Sequence, residues 1–185
     1  QEGVDAANWL VEYMDKQGTG DAEHNIVVLQ GTIGSSAEIG RTQGFDETIA
    51  AHANYKILEE QTGEFTQAKG QEVMEAFLKK YDNIDVVIAQ NDNMAFGAID
   101  ALKAAGKTPG KDVTIVSFDA VKAAFESMIA GDMNVSVECN PLHGPRVSEL
   151  AKKLMAGESV EKIQYVDEGV YPAETAEKEL PNRQY

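Results

Sequence analysis

The chain has 185 residues, 43% of them hydrophobic, enough to bury the core of one large domain or one and a half small ones. Its 31 acidic against 16 basic side chains leave a net charge of −15, which repels a phosphate backbone, and no Lys/Arg run makes a local exception, so nucleic acid is excluded as a partner. No apolar stretch approaches the roughly 18 residues that span a bilayer, and the opening QEGVDAANWL has neither the basic head nor the apolar centre of a signal peptide, so a leader is expected either to have been removed or to lie upstream.

GVDAANWLVEYMDKQG reads as an amphipathic helix with no strand before it. Five β-rich runs follow, NIVVLQG (25–31), YKILEE (55–60), DVVIAQN (85–91), DVTIVSFD (112–119) and NVSVECN (134–140). Between them SSAEIGRTQGFDETIAAH, TQAKGQEVMEAFLKKY, NMAFGAIDALKAAG and VKAAFESMIAG read as helices, the last two stopped by Gly106 and Gly131. In the third of these, Ala95, Ile99, Leu102 and Ala105 recur at spacings of three and four and predict the face that packs on the sheet. The alternation predicts an α/β fold, a doubly wound and mainly parallel sheet with helices on both faces.

After Asn140 come a helical pattern, PLHGPRVSELAKKLMAGES, a strand-like KIQYVDEG (162–169) and a polar tail, YPAETAEKELPNRQY (171–185). These pieces have too few partners to form a second domain alone. They are expected to pack against structure that is missing from this chain, which makes the chain a fragment of a longer two-lobed protein.

In open α/β sheets ligands bind beyond the carboxyl ends of the strands. Those ends carry Gln30 with GTIGSS, the loop QTGEF ending in Phe65, then Gln90, Asn91 and Asp92, then Asp119, then Glu138 to Asn140, with Arg41 in the helix after the first loop. Amides and carboxylates exchange hydrogen bonds with vicinal hydroxyls, an aromatic face covers the C–H side of a sugar, and an Arg fork adds donors while balancing carboxylate charge. The set therefore suits a neutral polyhydroxylated ligand. Each residue has a plainer use as well. Asn91 or Asp92 would cap the following helix, Asp119 would cap the helix near Val121, Arg41 would pair with Glu38 at the surface, and Phe65 would belong to the core.

Enzyme chemistry is poorly served. His24, His52 and His143 lack metal-ligand spacing, GTIGSSAEIGR lacks both the Walker ending and the dinucleotide glycine spacing, and no Gly-x-Ser-x-Gly elbow occurs. The single Cys139 excludes an internal disulfide and reads as a small buried hydrophobe rather than a nucleophile. Neither an enzymatic activity nor a cofactor or metal is expected.

VVIAQNDNMAFGAIDALKAAG, followed by DVTIVSFDA and preceded by GSSAEIGRTQGF, resembles the periplasmic sugar-binding proteins of ABC transporters in the ribose- and galactose-binding group. GEFTQAKGQEVMEAF and YPAETAEKEL are most similar to the galactofuranose-binding branch. The resemblance implies a two-lobed, type I periplasmic binding protein that closes on a monosaccharide, a pentose or hexose that includes furanose forms, and delivers it to a membrane permease. It implies that residues 1–139 are the C-terminal sugar-binding lobe, 140–170 a segment crossing back toward an absent N-terminal lobe, and 171–185 a C-terminal tail. It implies sugar contacts by Arg41, Phe65, Asn91 and Asp119, and a periplasmic or extracellular location, with lipid anchoring to the cell surface as one form of it. A hinge Gln common in the family aligns with Cys139, which puts that contact in doubt and leaves Glu138 or Asn140 as substitutes. The competing reading is the effector domain of a LacI-type transcriptional regulator, which shares the fold; MIAGDMNVSVECNPLHG resembles the transporter form instead.

Overall fold

A computed structural model describes residues 1–185. In chain order the elements are α1 (Glu2–Lys16), β1 (His24–Gln30), α2 (Ser36–Ile49), β2 (Tyr55–Thr62), α3 (Gln67–Lys80), β3 (Val86–Ala89), α4 (Asp92–Ala104), β4 (Thr114–Asp119), α5 (Lys122–Ile129), β5 (Val135–Glu138), α6 (Gly144–Met155), β6 (Val170–Pro172) and α7 (Ala173–Glu179), followed by a short 3-10 turn at Leu180–Asn182. One sheet runs β2-β1-β3-β4-β5-β6; the first five strands are mutually parallel and β6 joins β5 antiparallel.

Alternation along the central strands splits the apolar side chains between two cores. Val27, Leu29, Val87, Ala89 and Ile115 face α3, α4 and α5, where Met74, Phe77, Met94, Leu102 and Phe125 complete a layer. Ile26, Val28, Val86, Ile88, Val116, Phe118, Val135 and Val137 face the other way, onto Leu10 and Met14 of α1 and Phe45 and Ile49 of α2. Helix α1 thus supplies a packing face without needing a strand before it. Strands buried on both faces carry nearly continuous apolar runs, as expected of a parallel sheet.

Local signals set the helix ends. Ser35, Thr66 and Asn91 accept the backbone N–H of Glu38, Lys69 and Met94 as N-caps. Gly106 and Gly131 stand just past α4 and α5 in the left-handed region, at φ 77° and 83°. Lys107 N bonds back to the Leu102 carbonyl and Asp132 N to that of Ser127, closing both helices as glycine C-caps do.

Three expectations are corrected. Ala105 is exposed, because the helix ends there; Ala95, Ile99 and Leu102 are buried as expected, and Met94, Ala98 and Ala101 extend the buried face. KIQYVDEG is not a strand, and its Ile163 and Tyr165 lie exposed. The strand that completes the sheet beside β5 is Val170–Pro172 instead, and residues 162–169 pair with no strand. The polar tail folds back onto the lobe: α7 packs on α5, Ala176 is fully buried, and Lys122 N donates to the Tyr185 carbonyl. The helix expected over 141–159 forms as α6, yet none of its residues is buried.

Candidate functional site

The carboxyl ends of β1, β3 and β4 converge on Arg41, which reaches them from the second turn of α2. Its Nε donates to Glu2 Oε2 at 2.5 Å, its Nη2 to Asp119 Oδ1 at 2.9 Å, and its Nη1 to the Gln90 carbonyl. The guanidinium lies 5.0 Å from the centroid of Phe118, which floors the site. Burial alone would lower the Arg41 pKa, but the Glu2 and Asp119 carboxylates outweigh it and hold it above the ordinary value. Its side chain is only 4% exposed, whereas that of Asp119 is 32% exposed, so the acid presents the pair to the mouth. Burial raises the Asp119 pKa, and the Arg41 charge opposes the rise. Beside the pair, Gln1, Glu2, Ser36, Ala37, Gly40 and Arg41 line a groove of about 190 Å³.

Gln90 locks the neighbouring backbone. Its Oε1 accepts from Gly31 N at 2.9 Å and its Nε2 donates to Thr42 Oγ1 at 2.7 Å. Gly31 is where the ring of Phe65 settles: a Cβ there would lie 1.9 Å from Phe65 Cζ, so only glycine lets the ring come down on the backbone. The loop that delivers the ring holds Glu64 and Phe65 at φ 56° and 60°. Asn91 ties this loop to α4, its Nδ2 donating to the Phe65 carbonyl at 3.1 Å while its Oδ1 caps the helix.

The four residues expected at the site are therefore brought together, through Arg41–Asp119 on one side and Asn91–Phe65 on the other, with Gln90 between. Asn91 does serve as a cap. Asp119 does not, since α5 starts from Val121 without a side-chain cap. Arg41 is not a surface partner of Glu38, which instead accepts from Gly34 N. Phe65 is half-buried against the α3–α4 core.

Several participants escaped the sequence reading. Glu2 is 39 residues from Arg41, so no helical spacing announces the pair. Asp92, read from the sequence as a strand-end group or a helix cap, escaped in its actual place: it is buried beneath the mouth and pushed up to about 7 by its burial, although three donors favour its charge. The signal for it lay in two serines, Ser117 and Ser136, which interrupt otherwise apolar strands at paired register positions. Of the residues near the expected hinge, Glu138 accepts from Arg183 Nη2 at 2.8 Å, Tyr185 Oη at 2.7 Å and Gly169 N at 3.1 Å. Burial would raise its pKa, but these donors prevail and lower it. Arg183 in turn lies 4.7 to 5.0 Å from the rings of Tyr185, Tyr171 and Phe125, so Glu138 is engaged by the C-terminal segment. Asn140 is held in a turn by Leu142 N. Cys139 lies beside Glu2 and Glu168, its thiol pushed up to about 11 by burial and by Glu2.

A parallel α/β lobe with a buried cation, a half-exposed carboxylate, amides and an aromatic at its strand-end mouth has the build of a small-molecule binding lobe. The chain belongs to the periplasmic binding protein domain family, whose model matches residues 1–159. It is 40% identical over 186 residues to the galactofuranose-binding protein YtfQ of Escherichia coli K12, covering 98% of this chain and 57% of that protein. A Mycobacterium smegmatis protein solved in complex with β-D-fucofuranose is 44% identical and superposes with a TM-score of 0.92, covering 100% of this chain and 60% of that one. The periplasmic binding protein component of the arabinose ABC transporter of Shewanella sp. ANA-3, bound to α- and β-L-arabinofuranose, is 41% identical with a TM-score of 0.90, covering 99% and 60%. The chain thus spans between 57% and 60% of the length of these relatives.

Proposed function

We propose that this chain is the C-terminal lobe of a periplasmic solute-binding protein that traps a monosaccharide in furanose form against a second lobe and hands it to an ABC transporter permease. In this reading residues 1–139 carry the sugar half-site, the stretch from 140 to 169 reaches toward the second lobe, and the C-terminal segment returns to brace β5. The observation that carries the proposal is the Arg41–Asp119 pair at the sheet mouth, with its carboxylate open and Asn91 and Phe65 opposite.

Each contact has capacity left for a sugar. Three of the five N–H donors of Arg41 are committed, to Glu2, Gln90 and Asp119, which leaves two. Asn91 keeps one N–H and one lone pair, and Asp119 Oδ2 is free to accept from a hydroxyl. Phe65 supplies the apolar wall. The names of the relatives support transport over the effector domain of a regulator.

The test is calorimetry and thermal shift on the full-length protein with L-arabinose, D-galactose, D-fucose and D-ribose. Binding of at least one, abolished in Asp119→Ala, is the expected outcome. Wild-type protein that binds none of them, or Asp119→Ala with unchanged affinity, overturns the proposal.

A further inference from the structure

Asp119 and Ala120 both sit in the left-handed region, at φ 98° and 56°, which side chains other than glycine rarely adopt. Two consecutive residues of that kind do not hold themselves; surrounding bonds must over-determine them. The turn is held by one polar chain. Ala120 N donates to Ser136 Oγ at 3.0 Å, and Ser136 Oγ donates onward to Asp92 Oδ1 at 2.8 Å. Ser117 Oγ donates to the same oxygen at 2.7 Å, and Val121 N to Asp92 Oδ2 at 2.9 Å.

Direction matters in this chain. The Ser136 oxygen accepts from the Ala120 N–H, and its own proton is directed at Asp92. Asp92 accepts from both serine hydroxyls and from the Val121 N–H, and an ionised carboxylate takes all three. Ser117 and Ser136 are paired across β4 and β5 and point to the α4 face of the sheet, where alternation would otherwise place apolar side chains. All three side chains are buried, Ser117 and Ser136 completely, so solvent cannot replace a missing acceptor.

We propose that Asp92 is a positioning residue for ligand binding: through Ser136 and Val121 N it locks the left-handed Asp119–Ala120 turn and so aims the Asp119 carboxylate at Arg41 and the sugar. It touches no ligand itself. The role rests on the reading of Asp119 as a sugar contact given above, but the turn is measurable without any sugar.

The test uses full-length protein at pH 8 and the variants Asp92→Asn and Asp92→Asn with Ala120→Gly. Asn at 92 has a single acceptor oxygen, so either the Val121 N–H or the two serine protons lose their acceptor. Asp92→Asn is expected to lose about tenfold or more in affinity for the best sugar of the panel above, together with amide-exchange protection at Ala120 and Val121. Ala120→Gly, which adopts the left-handed turn unaided, is expected to recover affinity in the Asp92→Asn background without restoring the carboxylate. Leu102→Ala serves as the control, destabilising the same layer while leaving affinity unchanged. Wild-type affinity and wild-type exchange at Ala120 and Val121 in Asp92→Asn overturn the proposal, as does an affinity loss that Leu102→Ala reproduces. Wild-type protein that binds no sugar overturns the ligand reading and with it the positioning role, while exchange at Ala120 and Val121 still decides whether Asp92 holds the turn.

Discussion

Helices α4 and α6 are of nearly equal length, 13 and 12 residues, and both carry apolar side chains on one face, yet α4 buries eight residues and α6 none. Val147 and Leu154 of α6 are 59% and 58% exposed, while Leu102 of α4 is fully covered by the sheet and α3. An amphipathic pattern says which face of a helix is to be buried. Whether that face is buried depends on a partner surface, and stability follows the partner rather than the pattern. Leu102→Ala should therefore cost about 3–4 kcal/mol by chemical denaturation, the transfer loss plus the cavity it leaves. A cost below about 1 kcal/mol would mean that the α4 layer is loosely packed and the contrast with α6 is lost.

The same contrast holds for charge. Arg41–Asp119 and Lys153–Glu149 are ion pairs of similar length, 2.9 and 2.7 Å, but the first has a covered cation and the second is exposed at both ends. Removing Arg41 leaves Glu2 and Asp119 facing one another without a counter-charge; Arg41→Ala is expected to cost about 2–3 kcal/mol, tempered by the partial exposure of both acids. Removing Glu149 should leave the denaturation midpoint unchanged within error. Equal costs for the two substitutions, measured in the same denaturant series, would show that burial of the Arg41 fork contributes nothing.

These differences mark what was legible in the sequence. The order of the first five strands, the helices between them, and the place of Arg41, Phe65, Asn91 and Asp119 at the strand-end mouth could be read because strand ends, caps and motif spacing are local signals. Glu2, the Ser117–Asp92–Ser136 network and the Glu138–Arg183 clamp could not, since each joins residues far apart in the chain that only the packed sheet brings together. KIQYVDEG misled because its alternation is strand-like, whereas a strand also needs a partner, and the one beside β5 is Val170–Pro172, just after it. The tail misled through its polarity: its anchors are Ala176 and the amphipathic Arg183, Tyr171 and Tyr185, which a count of apolar residues passes over.

Glu60 tests the comparison through pH. Burial first, then Asp46 and Glu38, push it up to about 7, whereas exposed Glu149 on α6 is held below its usual range by its hydrogen bond to Lys153. A carboxyl raised in the folded state favours folding fully below its unfolded value of 4.5, and that contribution is lost as pH rises through about 7. The wild-type chain should therefore lose stability between about pH 5 and 8. Glu60→Gln should flatten the part of that slope due to this group and gain about 1–2 kcal/mol over wild type at pH 8, reduced by the solvent that reaches the site. A parallel slope in wild type and variant would show that Glu60 titrates normally.

The smallest expected effect bears most directly on the proposed second lobe. In this chain Leu154→Ser replaces an exposed apolar group by a polar one on a helix that contacts no core, so stability should change by less than about 0.5 kcal/mol. If the α6 face is covered by a second lobe in the full-length protein, the same substitution there removes a buried side chain and should cost about 2 kcal/mol or more. The ratio of the two costs thus measures the partner surface, because the helix and the substitution are identical in both. Equal small costs in both proteins would place the second lobe elsewhere and leave α6 a solvent-facing helix, while a large cost in this chain alone would mean that α6 finds an apolar partner within the 185 residues or in a second copy of them.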